Sequence, residues 1–140
     1  MTGEWREISA EWAGELAFIG RNASGAQIQI GSLNDKPGVG PMEMLLLGIA
    51  GCTGMDIVNI LQKKRLNLKR FQLIVRGLRA DDYPKIYTDS EVVYKLWGTD
   101  LDTASVEQAI KLSEEKYCSV GLMLEKAARI KSTYVINPKD

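Results

Sequence analysis

The chain has 140 residues, 45% of them hydrophobic and 26% charged, and its 18 basic and 18 acidic side chains cancel to a formal charge of zero. This length fits a single domain, residues 1–140, with one core of ordinary size, and zero net charge removes the broad positive field that nucleic-acid binding uses. The sequence contains no histidine, which excludes Ser-His and Cys-His hydrolase triads, imidazole acid–base catalysis and the common histidine-based zinc sites.

In chain order, the first third reads as a β-meander. Ile8, Ala10 and Trp12 alternate with Glu7, Ser9 and Glu11, the pattern of a half-buried strand. Gly14 permits a turn, Leu16 to Ile19 runs as a second strand, and Asn22-Ala23-Ser24-Gly25 carries hairpin-turn residues before Ile28 and Ile30. Leu33 to Gly40 is a loop, and Pro41 suits the first turn of a helix reaching about Arg65.

The first half of that helix, Met44 to Ala50, is apolar on every side. A helix apolar all round is buried all round, and one protomer of this size would struggle to wrap it, so a partner subunit is expected to cover part of it. Gly48, Gly51 and Gly54, three apart, would let another backbone approach closely, against a cost of about 1 kcal/mol each in helix propensity. The basic cluster Lys63-Lys64-Arg65 follows the apolar run, where cations complement the negative end of a helix. No stretch reaches the ~18–20 uncharged apolar residues of a membrane span, so no membrane association is expected.

Further on, Phe71, Leu73 and Val75 alternate with polar neighbours, and Ile86 to Trp97 is rich in β-formers; the turn between them makes an antiparallel pair. Thr103 to Lys116 is an amphipathic helix with Val106, Ala109, Ile110 and Ser113 on one face. Tyr117-Cys118-Ser119 interrupts it, Val120 to Ala128 makes a short further helix, and Ile130, Tyr134 and Ile136 form a last strand. The order βββ-α-ββ-αα-β defines an α+β class without repeats.

Chemistry, if any, falls to Cys52 and Cys118. The segment Met1 to Glu7 lacks the basic start and apolar core of a signal peptide. A cytoplasmic location is therefore expected, where two cysteines read as free thiols or a redox couple rather than a structural bridge. Cys52 sits mid-helix among small residues, and a buried thiol there is either an inert small hydrophobe or a nucleophile that needs a nearby cation. Cys118 begins a helix, where free N–H groups favour the thiolate; equally, Tyr117 and Cys118 fill a corner between helices.

The run Gly40-Pro41-Met42-Glu43-Met44-Leu45-Leu46-Leu47-Gly48-Ile49-Ala50-Gly51-Cys52 resembles the first cysteine motif of the OsmC/Ohr family, and Ser113-Glu114-Glu115-Lys116-Tyr117-Cys118-Ser119-Val120 resembles the second. The meander, long helix, hairpin and terminal strand also occur in the family's order. The resemblance implies an intertwined homodimer in which antiparallel sheets wrap around central cysteine-bearing helices. It implies a thiol peroxidase acting on organic hydroperoxides: Cys52 attacks the peroxide and becomes a sulfenic acid, and Cys118 resolves it as a disulfide that an external dithiol reduces. No cofactor is needed.

In the family an arginine of the first hairpin holds the thiolate, and a glutamate just after the helix-entry proline orients that arginine. Arg21 resembles the arginine; Met42 stands at the glutamate position, with Glu43 one residue later, turned by about 100°. On the residues alone, Arg21 is equally a solvated turn residue and Glu43 a favourable first-turn acid. Two other readings follow: a non-catalytic dimer that binds an apolar small molecule in its interface cavity, or a structural dimer.

Overall fold

A computed structural model describes residues 3–139. The meander forms β1 (Ile8–Gly14), β2 (Ala17–Asn22) and β3 (Gln27–Ile30), an antiparallel sheet in that order. Asn22 shapes the second turn: its Oδ1 accepts from the Ser24 and Ala26 amides at 3.1 and 2.9 Å, while Gly25 takes φ +91°. The half-burial expected of β1 is not met within one chain. Ile8 and Trp12 remain 72% and 66% exposed, because this sheet has no second apolar layer of its own to pack on.

Helix α1 (Pro41–Lys63) opens on a capping arrangement in which Glu43 reaches back to the Gly40 amide at 2.7 Å. Lys63 closes it, and Arg65 at φ +59° reverses the chain, leaving the basic cluster at the helix's negative end as expected. By length and overall composition alone the 23 residues of α1 could cross a membrane, but Glu43 and Asp56 interrupt the helix, so its longest uncharged run stays short of the expected ~18–20 residues. One face of it is built into a core: Ile49, Thr53, Ile57 and Leu61, four apart, are buried.

The chain divides into two compact units, one ending at Leu45 and the other beginning at Leu46. In the second, β4 (Asn67–Arg79) and β5 (Tyr87–Thr99) make the antiparallel pair expected, followed by α2 (Thr103–Leu112), α3 (Ser119–Leu124) and β6 (Arg129–Ile136). Its sheet runs β4-β5-β6 and is not wholly antiparallel, because β6 pairs with β5 in parallel. The helices between them supply the crossover that a parallel pair requires. Val92, Tyr94 and Leu96 of β5 form the centre of the core with Ile49, Ile57 and Leu61 of α1 and Val106, Ala109 and Ile110 of α2.

Two of the three helix glycines serve packing within the chain rather than another backbone. A Cβ at Gly48 would meet Val120 Cγ1 at 3.3 Å, and one at Gly54 would meet Leu73 Cδ1 at 3.2 Å, whereas Gly51 faces open space.

Candidate active site: a thiol pair beside buried polar groups

The second helical segment ends differently from a continuous α-helix. After Leu112 the chain widens into a π-helical turn, Ser113–Tyr117, which the Cys118 amide closes onto the Ser113 carbonyl at 2.7 Å. In plain α-helical phase Val106, Ile110, Ser113 and Tyr117 would share a face. The extra residue of the wide turn moves the next inward place on by one, so Tyr117 is half-exposed and Cys118 is 1% exposed. Ser113, itself buried, ties the turn to α1 by donating to Asp56 Oδ2 at 2.8 Å.

Cys118 therefore lies against α1, where Cys52 and Thr53 meet it. Both cysteines are free thiols, and Cys52, partly exposed, is a hydrogen-bonding neighbour of Cys118. The Thr53 hydroxyl donates to Cys118 Sγ at 3.1 Å, and the Gly121 amide donates to the same sulfur at 3.3 Å. Burial is the largest influence on Cys118 and pushes its thiol above the ordinary value; the two donors pull it down, and nearby Cys52 pushes it up. Placement at the start of α3 thus has the lowering effect expected of it, and burial outweighs that effect.

Behind Thr53 stands a second polar pair. Tyr94, 1% exposed, donates its phenol proton to Glu114 Oε2 at 2.6 Å, and the Thr53 hydroxyl is also a hydrogen-bonding neighbour of that phenol. Burial first, then the Glu114 carboxylate, drives the Tyr94 phenol far above its usual range. Sequence reasoning missed Thr53, Tyr94, Asp56 and Glu114. Thr53 alone had a legible signal, a hydroxyl beside Cys52 on an otherwise apolar helix.

Arg21 and Glu43 lie in the first unit and have other partners there. Arg21 Nη1 is 3.8 Å from Glu11 Oε1 in an exposed ion pair across the β1–β2 hairpin, and the Glu43 carboxylate is engaged by the Gly40 amide.

Two three-stranded sheets, a long helix and a thiol pair set between it and a helical crossover define an α+β dithiol protein. The chain belongs to the OsmC-like protein family, whose model matches residues 33–133. It is 38% identical over 130 residues to Protein YhfA of Escherichia coli (strain K12), covering 93% of this chain and 97% of that protein. The crystal structure of a hypothetical protein from Aquifex aeolicus VF5 is 34% identical, with a TM-score of 0.88 over 99% of this chain and 100% of that one. The organic hydroperoxide resistance protein OhrB of Bacillus subtilis, 14% identical, shares the fold with a TM-score of 0.63 over 94% and 98% of the two chains.

Proposed function

We propose that this chain is a cysteine-based peroxidase of organic hydroperoxides, working as a cytoplasmic homodimer and recycled by an external dithiol. The observation that carries the reading is the contact between two free thiols, one partly exposed and one buried. In the reaction the Cys52 thiolate attacks the terminal peroxide oxygen, the O–O bond breaks, and the alkoxide leaves and takes a proton from solvent. Cys118 then displaces hydroxide from the Cys52 sulfenic acid, its own proton completing the water, and a disulfide forms. The role of OhrB in organic hydroperoxide resistance, on a shared fold, supports the same chemistry. The chemistry calls for no metal, flavin or haem.

A second reading, a non-catalytic dimer binding an apolar molecule, draws support from the first unit. Arg21 is paired with Glu11 and Glu43 caps its own helix, so the family's activating pair is not joined there. Consumption of cumene hydroperoxide with dithiothreitol and other small dithiols distinguishes the two readings. The peroxidase turns over, and Cys52→Ser abolishes turnover. Equal, slow consumption by the two proteins would leave the binding reading in possession.

A further inference from the structure

We propose that the Cys52–Cys118 disulfide is opened from one side only: the reducing thiolate attacks Cys52 Sγ, and Cys118 departs as a thiolate received by the Thr53 hydroxyl. The inference rests on the dithiol reading above and adds which sulfur the reductant takes and which residue eases the departure of the other.

Access is the first ground. Thiol–disulfide exchange requires the attacking sulfur to reach its target sulfur, and the rate depends on which sulfur is exposed and on how well the other one leaves. Cys118 is 1% exposed beneath the π-helical turn, whereas Cys52 on α1 is partly exposed. An attack on Cys118 would have to displace that turn, which the Ser113–Asp56 bond anchors to α1.

The second ground is the environment of the sulfur that leaves. Burial makes a charge on Cys118 costly, and two donors that point at its Sγ offset part of that cost, the Thr53 hydroxyl at 3.1 Å and the Gly121 amide at 3.3 Å. Thr53 is 2% exposed, so water does not compete strongly for its proton. That proton has two acceptors. Tyr94 commits its own proton to Glu114 at 2.6 Å, which leaves its oxygen free to accept from Thr53. While the sulfurs are joined, Thr53 donates to the phenol; as the S–S bond lengthens and charge collects on Cys118, it turns to the sulfur. A hydrogen bond to an ionised group is roughly twice as strong as one between neutral groups, so the turn favours the departing thiolate. Thr53 is accordingly a positioning residue, and Tyr94 with Glu114 keeps its second acceptor in place.

The steps balance. The reductant's thiol first loses its proton to solvent. Its thiolate forms a new S–S bond to Cys52, the Cys52–Cys118 bond breaks, and the electron pair stays on Cys118. The second thiol of the dithiol, also deprotonated, attacks its own sulfur in the mixed disulfide and expels the Cys52 thiolate. Both protein thiolates take protons from solvent; the dithiol has lost two electrons and the protein disulfide has gained them.

The test uses the full chain and needs no peroxide. Diamide oxidises the protein, excess β-mercaptoethanol opens the disulfide, an acid quench stops the reaction, and peptide mass spectrometry locates the adduct. The adduct is expected on Cys52 at least tenfold over Cys118; an adduct on Cys118, or an even division, overturns the proposal. Thr53→Val is expected to slow opening by about five- to tenfold, by raising the pKa of the leaving thiol, and Thr53→Ser is expected to restore it. An unchanged Thr53→Val rate removes Thr53 from the mechanism, and if that variant fails to fold, the adduct position in the native protein still decides. Should diamide fail to join the two sulfurs, the dithiol reading falls with the proposal. Should the adduct form on Cys52 in a protein that consumes no peroxide, the peroxidase reading falls and the regiochemistry stands.

Discussion

Cys118 and Tyr94 are both pushed upward chiefly by burial, and this sets how the fold responds to alkali. A group whose pKa is raised on folding holds its proton in the native state after the unfolded chain has released it. Stability is therefore intact below the unfolded value and falls as pH rises through the window above it. The ordinary values are 9.0 for the thiol and 10.0 for the phenol. Urea unfolding should accordingly show a stability that is flat from pH 7 to about 9 and declines beyond, more steeply above 10. Tyr94→Phe should flatten the upper part of that decline, while at pH 7 it costs about 1.5–3 kcal/mol through loss of the hydrogen bond to Glu114. An alkaline slope unchanged in this variant would mean that Tyr94 titrates as an ordinary phenol. Little of this arrangement was legible in the sequence. Cys52 and Cys118 were visible as residue types, but Glu114 lies 20 residues from Tyr94 and Cys118 lies 65 from Thr53, and no local period links partners that far apart.

Helix α1 carries the site because its two faces are treated differently. The inward line Ile49, Thr53, Ile57 and Leu61 was readable as part of a long apolar helix, as was the face of α2 made by Val106, Ala109, Ile110 and Ser113, all of it buried. Periodicity did not disclose the π-helical turn, since one added residue alters phase only beyond itself. Nor did it disclose the parallel pairing of β6, because an alternating strand looks alike in either direction. Gly48 joins these elements to the chemistry: it leaves room for Val120, two residues beyond Cys118. Gly48→Leu should push Val120 and the start of α3 away from α1, at a cost of about 1–3 kcal/mol from overpacking. Diamide should then join Cys52 and Cys118 far more slowly, with both thiols still present by mass. A variant that forms the disulfide at the native rate would show that α3 yields without moving Cys118.

At the scale of the whole molecule, what one chain leaves uncovered is the strongest physical support for the proposed dimer. Leu47 and Met55 on α1 are 55% and 76% exposed, and the β1–β2 hairpin leaves Ile8, Trp12 and the turn residue Leu16 largely open to solvent. Around Met55 the surface is a shallow, largely apolar groove lined by Ala50, Gly51, Gly54, Val58 and Phe71, with the amides of Asn59 and Gln62. Contiguous apolar surface of this kind marks an association site, and an all-round apolar α1 was the sequence feature that raised the expectation. Gly51, with no neighbour for a Cβ in its own chain, is the point where a second α1 could come nearest. Sedimentation at micromolar protein should give a dimer whose thermal midpoint rises with concentration, since association and folding are linked by mass action. Met55→Glu should shift the population toward monomer by about 1–3 kcal/mol, the cost of burying a charge at the centre of an interface. It should also lower the midpoint at every concentration. A native protein that sediments as a folded monomer, with a midpoint independent of concentration, would overturn the dimer. The apolar groove on α1 would then be left as the binding surface for which the non-catalytic reading calls.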